Sequence, residues 1–510
     1  MCPCHLRLKA RFSTLFLLSW ALLFPAISSY AQYDFSQGCQ KAYKAILNLH
    51  FQEARQLIAS EKTSQSGNLI PAYLENYIDY LTLFIGEDHK QYDQIKPGFM
   101  ARLDLLEKGI NSSPYCNFCL GESNLQWAFV QMKAGDYTQA ALRFRKANRY
   151  FSENARLFPD FIPNNIGLGI TTFLAGLVPD SYKWIANLIG IHGSVIQGLQ
   201  QLKIAADYTG SDVIYNQFKP QALLYMAMVS VNLGKNKIEA LKIVELFANP
   251  VNSQSPLIIF ARANILMKNG MNEKALEILS QRLRDPSCFP FYFLDFMEGN
   301  ARLNNLDTAA LTNYRYFLRH FRGDHYVKSA WQKVGWLNFI RGDTNGYYQA
   351  MAKMISIGAA NGDEDRQALR EAESKQVPNL YLLRARLLFD GGYYEKVLNE
   401  LLNRPTKSFL FTKKDLVEYS YRLGRTYQES GNLEKAFSYY RLTIQRGKTE
   451  PWYYAASAAL QMGLIFENKG EMQRADSAYH VCLDCKPAEY KNSLSQKAKA
   501  GINRIKANHP

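Results

Sequence analysis

The sequence lacks the usual signals of β-structure and of catalysis. It has no sustained alternation of apolar and polar residues, and no Asn-Gly or Asp-Gly pair between β-branched runs, so we predict an all-α chain. A G-x-S-x-G elbow, a G-x-x-x-x-G-K-[ST] loop and an H-E-x-x-H helix are also missing. We therefore predict a non-enzymatic protein without a cofactor or a metal site.

Long apolar runs are missing everywhere except near the N-terminus. Residues 1–11 are basic and contain no acid, and the apolar stretch Phe12–Ile27 follows them. Ser29 and Ala31 then provide the small residues of a cleavage site. This order predicts a secretory signal peptide over residues 1–31. The mature chain is expected to be exported, to the periplasm or the outer membrane or into the medium, with an uncleaved membrane anchor as the alternative.

Acidic residues are fewer than basic ones. The 510 residues include 60 Lys and Arg against 45 Asp and Glu, a net charge of +15. Loss of Arg7, Lys9 and Arg11 with the signal peptide lowers it to +12. A basic exported surface suits an acidic protein, lipopolysaccharide or anionic lipid, whereas export makes nucleic acid an unexpected partner.

Two segments near the C-terminus share one pattern and are displaced by 39 residues. They read Leu423-Gly424-x-x-Tyr427-x-x-x-Gly431-x-x-x-x-Ala436-x-x-x-Tyr440 and Met462-Gly463-x-x-Phe466-x-x-x-Gly470-x-x-x-x-Ala475-x-x-x-Tyr479. The pattern resembles the tetratricopeptide repeat (TPR) superfamily, a helix-turn-helix unit of about 34 residues, here in an exported bacterial form. Small residues such as Gly424 allow two helices to approach closely, and Gly431 is expected to end a helix in the left-handed conformation.

Weaker copies of the pattern occur along the rest of the chain. They predict an α-solenoid of about nine TPR-like helical hairpins with one apolar helical insertion. The insertion is loosely similar to a helical hairpin of the tetratricopeptide repeat protein 39 family. The predicted segments after the signal peptide are N-terminal hairpins (32–151), the insertion (152–212), central repeats (213–360) and C-terminal repeats (361–510).

The resemblance implies a function as a scaffold or adaptor that binds a protein or peptide in the cell envelope. In the superfamily the first helices line the concave face, so Tyr421, Arg425 and Gln428 are expected to project toward a partner. The alternative is that these three are ordinary solvated residues. A second hypothesis is a membrane-apposed protein that handles lipid or glycan through its apolar segment 152–202, with peripheral membrane association.

Cysteines are few, and six of the eight follow residue 31. Two pairs have CxxC spacing, Cys116 with Cys119 and Cys482 with Cys485. They lie far apart along the predicted array, which argues against a shared zinc site. A buried thiol role is expected for Cys482, and a disulfide from Cys39 to Cys116 or Cys119 is an open alternative in an oxidising compartment.

Overall fold

The structure is a computed structural model that describes residues 32–109, 112–177, 193–232, 237–247 and 254–508. In these ranges the chain is helical, apart from turns, loops and one isolated β-bridge between Gln32 and Asn68. The predicted all-α fold class is confirmed. The predicted signal peptide, residues 1–31, lies outside the described residues.

The chain divides into two compact units, and the first contains Met1–Phe84 and Lys90–Ala222. The segment Ile85–His89 belongs to the second unit. The helices that lie wholly or partly in the first unit are α1 (Gln37–Leu47), α2 (Phe51–Ser64), α3 (Ile70–Gly86), α4 (His89–Glu107), α5 (Pro114–Lys133), α6 (Tyr137–Leu157), α7 (Asn164–Gly176), α8 (Val195–Ala206), α9 (Val213–Gln217) and α10 (Lys219–Asn232).

The second unit contains Leu223–Pro510 besides Ile85–His89. A short 3₁₀ helix at Thr406–Ser408 precedes its last hairpins. Its further helices are α11 (Lys237–Leu246), α12 (Pro256–Lys268), α13 (Asn272–Ser280), α14 (Phe293–Asn304), α15 (Ala310–His320), α16 (Val327–Ile340), α17 (Thr344–Ser356), α18 (Asp363–Ser374), α19 (Leu380–Asp390), α20 (Tyr394–Leu402), α21 (Lys413–Glu429), α22 (Leu433–Gly447), α23 (Tyr454–Asn468), α24 (Met472–Asp484) and α25 (Lys491–Asn508).

Consecutive helices pack as hairpins in both units. The packed pairs include α1–α2, α5–α6, α7–α8, α12–α13, α14–α15, α16–α17, α19–α20, α21–α22 and α23–α24. Successive hairpins also contact one another, for example through α22 and α23. The predicted all-α array of successive helical hairpins is therefore observed within each unit. The finer segment boundaries at residues 151, 212 and 360 stay a prediction.

A glycine of the first helix faces an aromatic ring of the second helix in several hairpins. A Cβ atom on Gly424 would lie 2.6 Å from the Tyr440 ring, and one on Gly463 would lie 2.5 Å from the Tyr479 ring. Gly121 and Phe151 repeat this contact in α5–α6. The rings occupy the space that the missing side chains leave, so glycine sets the distance between the two helices.

The turns within hairpins also use glycine, as the sequence predicts. Gly431 has φ +82° and Gly470 has φ +76°. Both positions lie in the left-handed region, where a residue with a Cβ atom is strained. Gly135, Gly270, Gly342 and Gly392 have the same conformation between the helices of four other hairpins.

The described part of the apolar insertion is a helical hairpin with unusually close helices. A Cβ atom on Gly169 of α7 would lie 2.9 Å from the Gly198 backbone oxygen of α8. Gly167 contacts the Phe151 ring of α6 in the same way. Glycine thus packs α7 against both neighbours. Residues 178–192 lie outside the described residues, and the likeness to the tetratricopeptide repeat protein 39 family stays a prediction.

A buried ion network holds the segment after α13 against α14. The Arg282 guanidinium donates to Asp295 Oδ1 at 2.6 Å and to a carboxylate oxygen of Glu298, and all three side chains are buried. Burial alone raises the pKa of Glu298, but hydrogen bonds and charge from Arg282 and Arg302 outweigh it and hold that pKa below its ordinary value. The network therefore stabilises the fold only while Glu298 is ionised.

We expect Gly424→Ala to lower the free energy of unfolding by about 1–3 kcal/mol, because the new methyl group overpacks against Tyr440. Thermal and urea unfolding followed by circular dichroism measure the change. Gly98→Ala is the matched control. Gly98 is exposed within α4, where alanine has only the flexible end of Arg102 nearby, so this variant is expected to gain up to about 1 kcal/mol. Equal effects at the two positions would contradict the proposed contact.

We expect Arg282→Met to destabilise the chain by about 1.5–3 kcal/mol at pH 7, because two buried carboxylates each lose one charge-assisted hydrogen bond, while Arg284 and Arg302 remain beside them. The stabilisation from Glu298 is present above its unfolded pKa of about 4.3 and is lost as pH falls through its lowered native pKa. The difference in the free energy of unfolding between wild type and Arg282→Met should therefore become smaller in acid. Arg156→Met on α6 is the control, since the Arg156 side chain is 70% exposed and lies outside the network. Similar losses in the free energy of unfolding in both variants would contradict a stabilising role of the buried network.

Candidate functional site

The three residues predicted to bind a partner lie on one stripe of α21. The Tyr421 side chain is buried, and its hydroxyl lies 2.9 Å from Ser457 Oγ of α23. The Arg425 guanidinium lies 5.2 Å from the centre of the Phe389 ring. Gln428 donates to Gln461 Oε1 at 3.1 Å and accepts a hydrogen bond from the Tyr440 hydroxyl.

These contacts tie α21 to its neighbours α19, α22 and α23. The three side chains therefore have partners within the fold, and the Tyr421 side chain is buried. Tyr421 and Arg425 also line a small cavity of about 200 Å³, together with Arg386 and Tyr453. Partner binding by Tyr421, Arg425 and Gln428 stays a prediction.

A larger cavity of about 770 Å³ lies within the second unit. Its walls come from α16, α18, α19, α21 and the start of α23, with the loop before α21 between them. Aromatic, cationic and acidic side chains share the lining, among them Trp336, Tyr381, Phe411, Arg370, Arg386, Glu371 and Asp415. A volume of this size accommodates a small molecule or a few side chains of a peptide.

Arg386 lines this cavity and makes a long internal ion pair. Its nearest carboxylate oxygen, on Asp390, is 3.9 Å away, and its guanidinium lies 5.2 Å from the Trp336 ring centre. Arg422, by contrast, donates to Glu418 at 2.6 and 3.0 Å. The charge of Arg422 is thus compensated within the fold, whereas Arg386 keeps donors for an anionic group.

Part of the cavity wall is aromatic, and one of its rings is exposed. The rings of Tyr381 and Phe409 meet edge to face with centroids 5.2 Å apart. Phe411 is 77% exposed at the rim. An exposed aromatic side chain beside a cation is a common feature of binding surfaces.

Lys333 lies next to these groups on α16. Its ammonium group donates to Ser329 Oγ at 2.6 Å and lies 5.3 Å from the centre of the Phe296 ring and 5.7 Å from that of Trp336. Burial, assisted by the positive charge of Arg386, lowers the pKa of Lys333 to about 8, although nearby carboxylates oppose the shift. Trp336 therefore contacts two cationic side chains, Lys333 and Arg386.

In the first unit, the segment around Phe218 packs against α1 and α5. Phe218 lies between Phe35, Tyr43 and Phe118, with ring centroids 5.0 to 5.3 Å apart. Gln221 of the same segment accepts a hydrogen bond from the Tyr43 hydroxyl at 2.6 Å. Helices α9 and α10 thus contact α1 and α5, where a repeat protein usually presents its first helices.

The predicted cysteine chemistry finds limited support in the structure. All six cysteines after residue 31 are free thiols, so the considered disulfide from Cys39 is not formed. Burial raises the pKa of Cys119 well above its ordinary value, and Cys116, Glu122 and Cys39 add to the shift. A raised pKa disfavours the reactive thiolate.

The membrane hypothesis has one structural observation in its favour. Ile196 and Ile204 of α8 are 71% and 50% exposed, two helical turns apart on one face. Within the described ranges, every helix is too short or too polar to span a bilayer. Membrane contact through the 152–202 segment stays a prediction.

Comparison with known proteins adds little to this description. No protein-family model and no curated protein matches the sequence. The crystal structure of yeast Tom70 aligns with 92% of this chain and 89% of that chain, at 10% identity and a TM-score of 0.22. A score this low does not establish a shared helix arrangement. The description of the chain as an all-α protein of successive helical hairpins rests on its own helix and glycine contacts.

We expect Lys333 to titrate near pH 8, about two units below an ordinary lysine at about 10.4. Competitive acetylation across a pH series, read by mass spectrometry, measures this value. Arg386→Gln removes the positive neighbour and should raise the pKa of Lys333. A midpoint above pH 10 in the wild-type chain would contradict the described environment.

Proposed function

We propose that the protein is an exported, non-enzymatic scaffold or adaptor that binds a protein or peptide partner in the cell envelope through the cavity of its second unit. Residues 1–31 support export, and the repeat architecture suits an extended binding surface. The observation that carries the binding site is the 770 Å³ cavity, where Arg386 lies on the Trp336 ring.

The two units support different roles in this proposal. Phe218 and Gln221 occupy the inner surface of the first unit, so the first unit has less surface to offer a partner. The second unit has cavities lined by arginines and aromatic rings. Arginine and aromatic residues are the side chains that dominate binding energy at many interfaces. We therefore assign partner capture to the second unit.

The partner segment that fits this surface has an acidic group and an apolar or aromatic side chain. The acidic group pairs with Arg386, whose nearest carboxylate is 3.9 Å away. The apolar side chain packs on Phe411 and Tyr381 at the aromatic wall. The net charge of the chain favours encounter with an acidic protein.

A photo-crosslinking amino acid at Phe411 tests this function in the producing cell. Phe411 is 77% exposed at the cavity rim, and Tyr137 of the first unit is the control at 66% exposure. We expect a defined crosslinked envelope protein from position 411 and none of the same mass from position 137. Arg386→Glu should reduce the crosslink at least tenfold, whereas Arg156→Glu on the exposed surface of α6 should leave it unchanged.

Two results would overturn the proposal. One is a crosslink that survives Arg386→Glu in a folded protein, and the other is the same partner captured equally at 411 and 137. Arg425→Glu tests the predicted stripe separately. If capture survives this variant, Arg425 has only its structural role.

A membrane-apposed protein that handles lipid or glycan is the second candidate, and the exposed Ile196 and Ile204 of α8 support it. Fractionation separates the two functions. Under the leading proposal the mature chain is recovered in the soluble envelope fraction at low salt. Recovery with membranes, reversed by replacing Ile196 and Ile204 with Ser, would support the second candidate.

A further inference from the structure

The loop between α24 and α25 contributes to the wall of the 770 Å³ cavity. This loop, residues 486–490, has the sequence Lys-Pro-Ala-Glu-Tyr. Its Glu489 lines the cavity together with Arg370, Arg386 and Tyr453. The chain therefore brings an acidic residue of its own to the surface that we assign to partner capture.

Tyr490, the next residue, contacts the same wall through Tyr453. The two rings meet edge to face with centroids 5.2 Å apart. Tyr453 lines the 770 Å³ cavity and also the 200 Å³ cavity beside Tyr421. Burial raises the pKa of Tyr490, and the positive charges of Arg386 and Arg370 oppose the shift. The Tyr490 side chain thus lies within electrostatic reach of both arginines.

Most of this loop is exposed, whereas the helix after it is packed in the core. Four of the five loop residues are exposed, with Pro487 as the buried one. The Ala488 N–H donates to the Pro451 carbonyl oxygen at 2.8 Å. Helix α25 buries Leu494, Ala498 and Ile502 in a hydrophobic cluster of the second unit. The loop can therefore leave the cavity wall while α25 stays packed.

The backbone of Tyr490 is strained in the observed position. Its φ is +57°, in the left-handed region that residues with a Cβ atom adopt at a cost. Its carbonyl oxygen accepts a hydrogen bond from the Leu494 N–H at 2.9 Å, in the first turn of α25. Strain of this kind persists only where the surroundings hold the residue in place. Displacement of the loop releases it.

We propose that residues 486–490 form a lid on the partner-binding cavity, and that a partner segment with an acidic residue followed by an aromatic residue displaces this lid. The inference rests on the proposed function, because it identifies the partner segment with the Glu489-Tyr490 pair of the chain itself. The aromatic ring of the partner replaces Tyr490 on Tyr453, and its carboxylate pairs with Arg386, whose nearest carboxylate in the fold is 3.9 Å away. A closed lid lowers the apparent affinity for the partner in proportion to the fraction of open molecules.

Fluorescence anisotropy of the purified chain with a peptide probe tests the lid. The probe is a labelled peptide with the sequence of residues 486–493, Lys-Pro-Ala-Glu-Tyr-Lys-Asn-Ser. We expect Tyr490→Ala to bind this probe about tenfold more tightly than wild type, because the internal ring no longer competes for Tyr453. A probe with alanine in place of its Glu and Tyr should bind about tenfold more weakly to both chains.

Two variants separate competition by the ring from a general effect of substitution. Tyr490→Phe keeps the ring and should bind the probe as wild type does. Tyr348→Ala in α17 is the matched control. Tyr348 is also an exposed tyrosine of the second unit, at 49% against 41% for Tyr490, and its ring meets that of Tyr347 edge to face at 5.5 Å. Its replacement should leave the probe affinity unchanged.

Hydrogen–deuterium exchange of the wild-type chain, read by mass spectrometry, tests displacement without any substitution. A saturating concentration of the probe should speed amide exchange in peptides that span residues 486–490 about tenfold, because Ala488 loses its hydrogen bond to Pro451. Peptides from α5 and α6 of the first unit should not change.

Three results would overturn the lid. They are equal probe affinities of wild type and Tyr490→Ala, the same gain in affinity in Tyr348→Ala, and unchanged or slower exchange of residues 486–490 with the probe. The crosslink from Phe411 tests the proposed function without this probe. A crosslink that Arg386→Glu removes, together with equal probe affinities, would refute the lid alone.

Discussion

The close contact between a glycine on one helix and an aromatic ring on the next is the constraint on which the repeat architecture depends. Tyr479 shows it most clearly, because its ring lies against Gly463 on one side and Gly501 on the other. Phe151 lies in the same way between Gly121 and Gly167. One large buried ring therefore contacts three helices, and it sets the spacing between successive hairpins.

The two units differ in whether the helices spaced by these contacts are covered by another part of the chain. In the first unit the surface formed by α1 and α5 is covered by α9 and α10, with Phe218 packed among aromatic rings. In the second unit, cavities remain between the first helices, and Arg386, Trp336 and Lys333 lie together beside them. In the first unit the chain thus covers α1 and α5 itself, whereas the second unit has cavities lined by charged and aromatic side chains.

Much of the fold follows from local sequence, whereas the site does not. The turn at Gly431 and the contact of Gly424 are encoded within one hairpin, and both were predictable. Arg386 and Trp336 are 50 residues apart and meet only through stacking of successive hairpins, so no local pattern indicates them. The burial of Glu122 could not be predicted from the sequence. Its polar neighbours suggest an exposed helix face, yet α5 is buried on all sides. Tyr421 was expected to face a partner, and its burial against Ser457 of the next hairpin is likewise a contact between hairpins that no local pattern indicates.

The central claim is that the cavity of the second unit receives the partner. The most direct measurement is a crosslink map of the purified complex, with every partner-linked residue of this chain identified by mass spectrometry. The account predicts that the links concentrate on residues around the cavity, in α16, α18, α19 and α21. Links concentrated on the second helices of the hairpins, or on the first unit, would contradict it.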